Sequence, residues 1–283
     1  MQLLSCGSGY PVLFIHGIPT SNRLWSPVIE RLFGRFTCHA VDLPGLGKTP
    51  SVPYGPNHLQ SLAENIEELR IQKGIEKWHV VGHDAGSVIA VHYAYLFQQR
   101  VDCLALLSPA LFPELRPYYL FELMRQPLLG ELLAPLVNLI FWNVAMRRAF
   151  ENKEEDLVRA LDDFHSPFAG FFGAWRLMRL LRWGKPSEVL AAVPDFLPQL
   201  TVPTLIFHGS RDPAIPETFA RRASALIPNS EFIAVDSGHF IPLNRPEFVA
   251  SALLRFFDEH CREFPIEHNR IDEIRRAHAA HRD

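Results

Sequence analysis

Five residues, Gly82-His83-Asp84-Ala85-Gly86, constrain this chain more than any others. The apolar run Trp78-His79-Val80-Val81 before them reads as a buried strand, and Ser87 to Ala94 after them reads as a helix. Glycine two before and two after the central residue leaves no Cβ at either flank, so strand and helix can meet in one tight corner that thrusts the central side chain outward. That side chain is Asp84.

A serine held in this way attacks a carbonyl carbon. An aspartate is suited to in-line attack on a saturated carbon bearing a leaving group, which makes an alkyl ester of the protein itself. Water must then cleave the ester. This needs a base, a partner to orient it, and N–H donors for the charge on the Asp84 carbonyl oxygen. His239 is the candidate base, in a polar turn after the short apolar strand Phe232 to Val235. Asp212 is the candidate orienting acid, in a loop after the strand Thr204 to Phe207. The strand Val12 to Ile15 runs into His16-Gly17-Ile18-Pro19, so the backbone N–H groups of Ile18 and Ala85 are the expected oxyanion donors. The order nucleophile, acid, base, each on a loop after a strand, is that of a hydrolase built on an α/β sheet.

With these residues in place the chain resembles the α/β-hydrolase superfamily, and within it the aspartate-nucleophile branch of epoxide hydrolases and haloalkane dehalogenases. The resemblance covers roughly residues 2 to 260 and rests on four runs in order: His16 to Ser21, Asp42 to Gly47, the Gly82 to Gly86 corner and the late Gly238-His239-Phe240. It implies an α/β fold, with a mostly parallel central sheet flanked by helices and an inserted helical cap. It also implies catalytic roles for Asp84, Asp212 and His239 with no metal or organic cofactor. Asp236 is expected to be structural.

Strands are expected at Val12 to Ile15, Thr37 to Val41, His79 to Val81, Cys103 to Leu107, Thr204 to Phe207 and Glu231 to Val235. Helices are expected at His58 to Lys73, Ala85 to Gln98, Thr218 to Leu226 and Pro246 to Glu259. His16 comes early for the family, so the first strand or two of its sheet are expected to be shortened or absent. Between Ser108 and Thr204 lies a helical, aromatic-rich stretch of roughly ninety residues, far longer than an ordinary crossover. The domains are therefore a core over 1–110 and 201–260, a cap over 111–200, and a charged tail over 261–283.

The cap should select the substrate. Trp142, Phe168, Phe172 and Trp175 are candidate lining residues, and an apolar or aromatic small molecule, with water, is the expected partner. Residues that separate the two activities depart from both patterns. Haloalkane dehalogenases hold the halide with tryptophan after the nucleophile, often with an asparagine or a second tryptophan; here the first two positions are Ala85 and Ile18. Epoxide hydrolases protonate the ring oxygen with two cap tyrosines. This cap has only the adjacent Tyr118 and Tyr119, with His165 as a further candidate acid. Epoxide opening is the favoured reading and dehalogenation the alternative. Further alternatives are unusual biosynthetic chemistry and a non-catalytic binding protein.

Net charge is −3 and no long basic run appears, so neither nucleic acid nor an anionic membrane is expected as a partner. Four scattered cysteines without a paired motif fit reduced thiols. With no leader and no apolar run of about 18 residues, the expected location is cytoplasmic; sequence leaves the oligomeric state open. Gly47-Lys48-Thr49 invites a P-loop reading, but Asp42 stands where its first glycine belongs. The run is expected to be a turn.

Overall fold

The computed structural model describes residues 1–51, 58–116, 118–149, 155–170, 172–182 and 184–260. The tail 261–283, with Cys261, lies outside them.

Seven strands, β1 (Gln2–Gly7), β2 (Tyr10–Ile15), β3 (Phe36–Asp42), β4 (Trp78–His83), β5 (Val101–Leu107), β6 (Thr204–Gly209) and β7 (Ser230–Val235), form one sheet in the order β1-β3-β2-β4-β5-β6-β7. All neighbouring pairs from β3 through β7 are parallel. Every side chain of β4 and of β6 is buried, as a strand covered by helices on both faces requires. Each expected strand is present and one to three residues longer than its apolar run. A first strand is present as well: β1 pairs antiparallel with β3 from Gln2↔Asp42 to Gly7↔Thr37. Its mostly exposed residues carry neither an apolar run nor a clean alternation. Only the main-chain ladder and contacts such as Ser5 Oγ to His39 Nδ1, 2.9 Å, define it.

The helices are α1 (Ser26–Leu32), α2 (His58–Gln72), α3 (Ala85–Leu96), α4 (Tyr119–Arg125), α5 (Leu129–Ile140), α6 (Arg147–Ala149), α7 (Glu155–His165), α8 (Gly173–Leu181), α9 (Pro186–Val189), α10 (Val193–Phe196), α11 (Glu217–Leu226), α12 (Ile241–Asn244) and α13 (Pro246–His260). Helix α3, which leaves the Asp84 corner, is apolar nearly all round and buried through Val88, Ile89, Ala90, Val91 and Ala94. Helix α13 turns Val249, Leu253, Phe256 and Phe257 inward at helical spacing. Phe257 stacks on His79 of β4 at 4.0 Å.

Among the described residues, everything between β5 and β6 is helix or loop. Phe196 of α10 stacks on Tyr95 of α3 at 4.2 Å, and Asp163 of α7 pairs with Arg23 at 3.0 Å, so the insertion is joined to the sheet domain at both places. One helical stretch reaches the length and mean hydropathy of a membrane span, although polar residues interrupt its apolar run. Helix α5 continues through a π-helical segment, Phe141–Met146. Together Leu129–Met146 make 18 helical residues of mean hydropathy 1.5, a third of them buried, with Glu131, Pro135, Asn138 and Asn143 among them. Leu132, Leu136 and Leu139 on this stretch face solvent.

Candidate active site

Because β2, β4, β6 and β7 are parallel, their carboxyl ends share one edge of the sheet, and the loops leaving them must converge there. The strand order reverses between β2 and β4, since the chain leaves β2 toward β3 on one side and β4 toward β5 on the other. Asp84 follows β4 directly. Its φ of 51° and ψ of −121° lie outside the regions an L residue prefers, at a cost of about 1–3 kcal/mol held by the surrounding structure. The corner shows why: a Cβ on Gly82 would stand 2.6 Å from the Gly86 carbonyl oxygen, and one on Gly86 would stand 2.3 Å from that of Ile15.

The Asp84 carboxylate is gripped from the β2 loop. Ile18 donates its N–H to Oδ2 at 3.0 Å, and Ala85 contributes a second backbone donor. This grip needs glycine at 17, since a Cβ there would lie 2.5 Å from the same oxygen. His16 shapes the loop. Leu43 donates its N–H to His16 Nε2 at 3.0 Å, so the proton sits on Nδ1, which donates to the Gly17 carbonyl at 2.8 Å. Burial pushes the His16 pKa down to about 4 against the smaller opposing effects of that bond and of Asp42.

On the other side, Asp212 and His239 form a pair. His239 Nδ1 donates to Asp212 Oδ2 at 2.8 Å, while Asp212 Oδ1 accepts from the N–H groups of Ala214 and Ile215 at 2.8 and 3.1 Å. The proton is thereby fixed on Nδ1, which leaves Nε2 as the basic nitrogen. Burial opposes charge on His239, yet Asp212, its hydrogen bond and Asp84 outweigh it and the pKa rises. Burial likewise opposes the Asp212 charge, but His239 and the backbone donors hold its carboxyl below the usual range. For Asp84 burial prevails over His239 and the two backbone donors, and its pKa is raised.

Sequence reading passed over His83. Its ring lies 4.8 Å from that of His239, and Nε2 donates to the His239 carbonyl at 3.0 Å. Burial, reinforced by His239, lowers its pKa to about 3. The available signal was position alone, a histidine between the corner glycine and Asp84.

The other candidates divide. Trp142 is buried, and its Nε1 is committed to Asn138 Oδ1 at 3.0 Å; Asn138 in turn donates to the Phe168 carbonyl at 3.1 Å. Phe168 is buried and stacks on Trp142. His165 is half-buried against Trp142 at 4.9 Å, and burial lowers its pKa. Tyr118 and Trp175 are half-buried. Tyr119 and Phe172 are each 67 % exposed and lie on the surface. Asp236, expected to be structural, pairs with Arg211 in the open. No metal-binding cluster of His, Cys, Asp or Glu occurs among the described residues.

The model of the alpha/beta hydrolase fold family matches residues 10–246. The chain belongs to that family. Among its relatives, this α/β-hydrolase is 28% identical to a soluble epoxide hydrolase of Corynebacterium sp. over 91% of its own length and 93% of the relative's. It is 29% identical to a haloalkane dehalogenase of Mesorhizobium japonicum, over 89% of this α/β-hydrolase and 85% of the relative. Its fold matches the crystal structure of a haloalkane dehalogenase from Bradyrhizobium elkani with a TM-score of 0.75 at 23% identity, covering 91% and 93% of the two chains. An enol-lactonase from Burkholderia xenovorans matches at 0.74 and 16% identity over 91% and 96%.

Proposed function

We propose that this α/β-hydrolase opens an apolar epoxide to a diol through an ester on Asp84. The observation that carries the reading is the seating of the Asp84 carboxylate: Ile18 donates its N–H to Oδ2, Ala85 adds a second backbone donor to the carboxylate, and the buried His239–Asp212 pair is close enough to couple to its charge. With Oδ2 held, Oδ1 is the attacking oxygen. It displaces the ring oxygen from the less hindered carbon, and the alkoxide takes a proton from an acid in the helical insertion, which serves as a cap. Tyr118 is preferred there to the solvent-facing Tyr119, and His165 is the second candidate.

Ester formation removes the negative charge of Asp84. One of the influences that raise the His239 pKa vanishes with it, so the base is freed of its proton at the stage where it is needed. His239 Nε2 then takes a proton from water, and hydroxide adds to the Asp84 carbonyl carbon. The developing charge falls on Oδ2, which the Ile18 N–H already faces. Collapse expels the diol oxygen, which takes the proton from His239, and the new Asp84 carboxyl group gives its own proton back to the cap acid and is a carboxylate again.

Epoxide is favoured over halide because the side chains of Ile18 and Ala85 have no donor for a departing halide and the Trp142 N–H is held by Asn138. A dehalogenase reading would rest on Trp175.

Intact-mass analysis of the His239→Gln variant, incubated with aryl epoxides or with haloalkanes, tests the proposal. A gain equal to the whole epoxide, mapped to Asp84 and absent from Asp84→Asn, supports it. A gain equal to the alkyl group without halide moves the assignment to dehalogenation. No adduct from either set overturns both.

A further inference from the structure

A second cleft, of about 320 Å³, opens between the loop after β3 and the helix α8. The side chains that matter on its walls are Lys48, Pro50 and Ser51 from the loop, Pro167 from the insertion, and Arg176 and Arg179 on α8. All three ionisable side chains lining it are cations. Arg176 and Arg179, three apart, lie on one face of α8, and Lys48 closes the opposite wall.

Other arginines of this region have partners that occupy them. Arg182 binds Glu131 and the carbonyls of Met124 and Gln126, Arg125 binds Glu122, and Arg23 binds Asp163. Among the described residues Lys48 and Arg179 make no ion pair with a carboxylate, and Arg176 has only a 3.3 Å contact to the Pro167 carbonyl. Like charges converging without a counter-charge repel one another, and an anion between them removes that cost.

The loop itself does not act as a P-loop. The Lys48 N–H is taken by Asp42 Oδ2 at 3.0 Å and the Thr49 N–H by the Leu46 carbonyl at 3.0 Å, so an anion here would be recognised by side chains. Two guanidinium forks and an ammonium match a group with three acceptor oxygens and about two negative charges better than a single carboxylate. The volume exceeds what the anion alone needs, and the rings of Pro50 and Pro167 offer the remainder an apolar surface.

We propose that this cleft binds a small organic phosphate, its phosphate between Lys48, Arg176 and Arg179 and its apolar part against Pro50 and Pro167. The site is separate from Asp84 and independent of the reaction assigned to it.

Calorimetric titration of the full chain with phenyl phosphate, inorganic phosphate and benzoate at constant ionic strength tests it. Phenyl phosphate should bind most tightly, and Arg176→Ala/Arg179→Ala should weaken it by about tenfold or more. Lys48→Ala, a change at an exposed side chain, should weaken it in the same sense and serves if the double variant loses stability. Three results overturn the proposal: no heat from phenyl phosphate up to roughly 10 mM, equal affinity in wild type and both variants, or equal affinity for benzoate. In a second arm the protein is sedimented with phosphatidylcholine vesicles containing phosphatidic acid. Arginine-dependent retention there without phenyl phosphate binding would replace the soluble ligand by a lipid headgroup.

Discussion

The imidazole of His83 donates from Nε2 to the main-chain carbonyl of His239 at 3.0 Å, so the residue before the candidate nucleophile holds the backbone of the candidate base. This bond crosses from the end of β4 to the loop after β7, strands that do not touch in the sheet. His83→Phe keeps a ring of similar size and removes the donor. It should leave ester formation within a fewfold of wild type and slow ester hydrolysis by about tenfold or more, measured as single-turnover rates of adduct gain and loss. Equal slowing of both steps would reduce His83 to a packing residue.

Gly17 faces the Asp84 carboxylate with no room for a methyl group. Gly17→Ala should move the Ile18 N–H off Oδ2 and lower kcat/KM by about 10²–10³, the usual effect of losing an oxyanion donor. Circular dichroism and the thermal midpoint should stay near wild type. An active Gly17→Ala enzyme would show that the loop is not held against Asp84.

Trp142 Nε1 donates to Asn138 Oδ1 at 3.0 Å. Trp142→Phe strands the Asn138 carbonyl oxygen in a buried site, and should cost about 1–3 kcal/mol in urea unfolding. Any activity on haloalkanes should survive in proportion to folded protein. A selective loss of haloalkane turnover with unchanged stability would make the indole N–H a halide ligand.

Acid should destabilise the fold before Asp212 titrates. His16 and His83 have folded pKa values near 4 and 3 against 6.5 when unfolded, so below pH 6.5 the unfolded chain binds more protons. Stability is therefore lost as pH falls from about 6.5 toward 4 for His16, by up to about 3 kcal/mol, and toward 3 for His83. The Asp212 contribution, with its depressed pKa, is lost only at lower pH still. His239, whose pKa is raised, gives the opposite slope: its contribution is full below 6.5 and fades as pH rises through its folded value. Unfolding free energies of wild type and His83→Gln across pH 4 to 7 should diverge at the acid end, the variant being less pH-dependent. Parallel curves would show that His83 titrates normally.

Much of this was legible in the chain. The corner glycines, the apolar runs and the order of Asp84, Asp212 and His239 are local signals, because a tight turn, a buried strand and a loop after it each leave a mark within a few residues. The strand β1 left none, since an exposed edge strand is specified by its partner's ladder and not by its own pattern. The same limit applies to the insertion, where an aromatic residue reads alike whether it packs in a core or lines a cleft. Tertiary contacts put Trp142 against Asn138 and sent Tyr119 and Phe172 to the surface. Sequence by itself determined the fold class and the candidate reacting groups, through backbone sterics and periodicity. Only the tertiary structure decided that His16 is held neutral with its proton on Nδ1, that His83 braces His239, and that Lys48 meets Arg176 and Arg179 across one cleft. Those facts depend on distances between residues far apart in the chain, which no short-range pattern records.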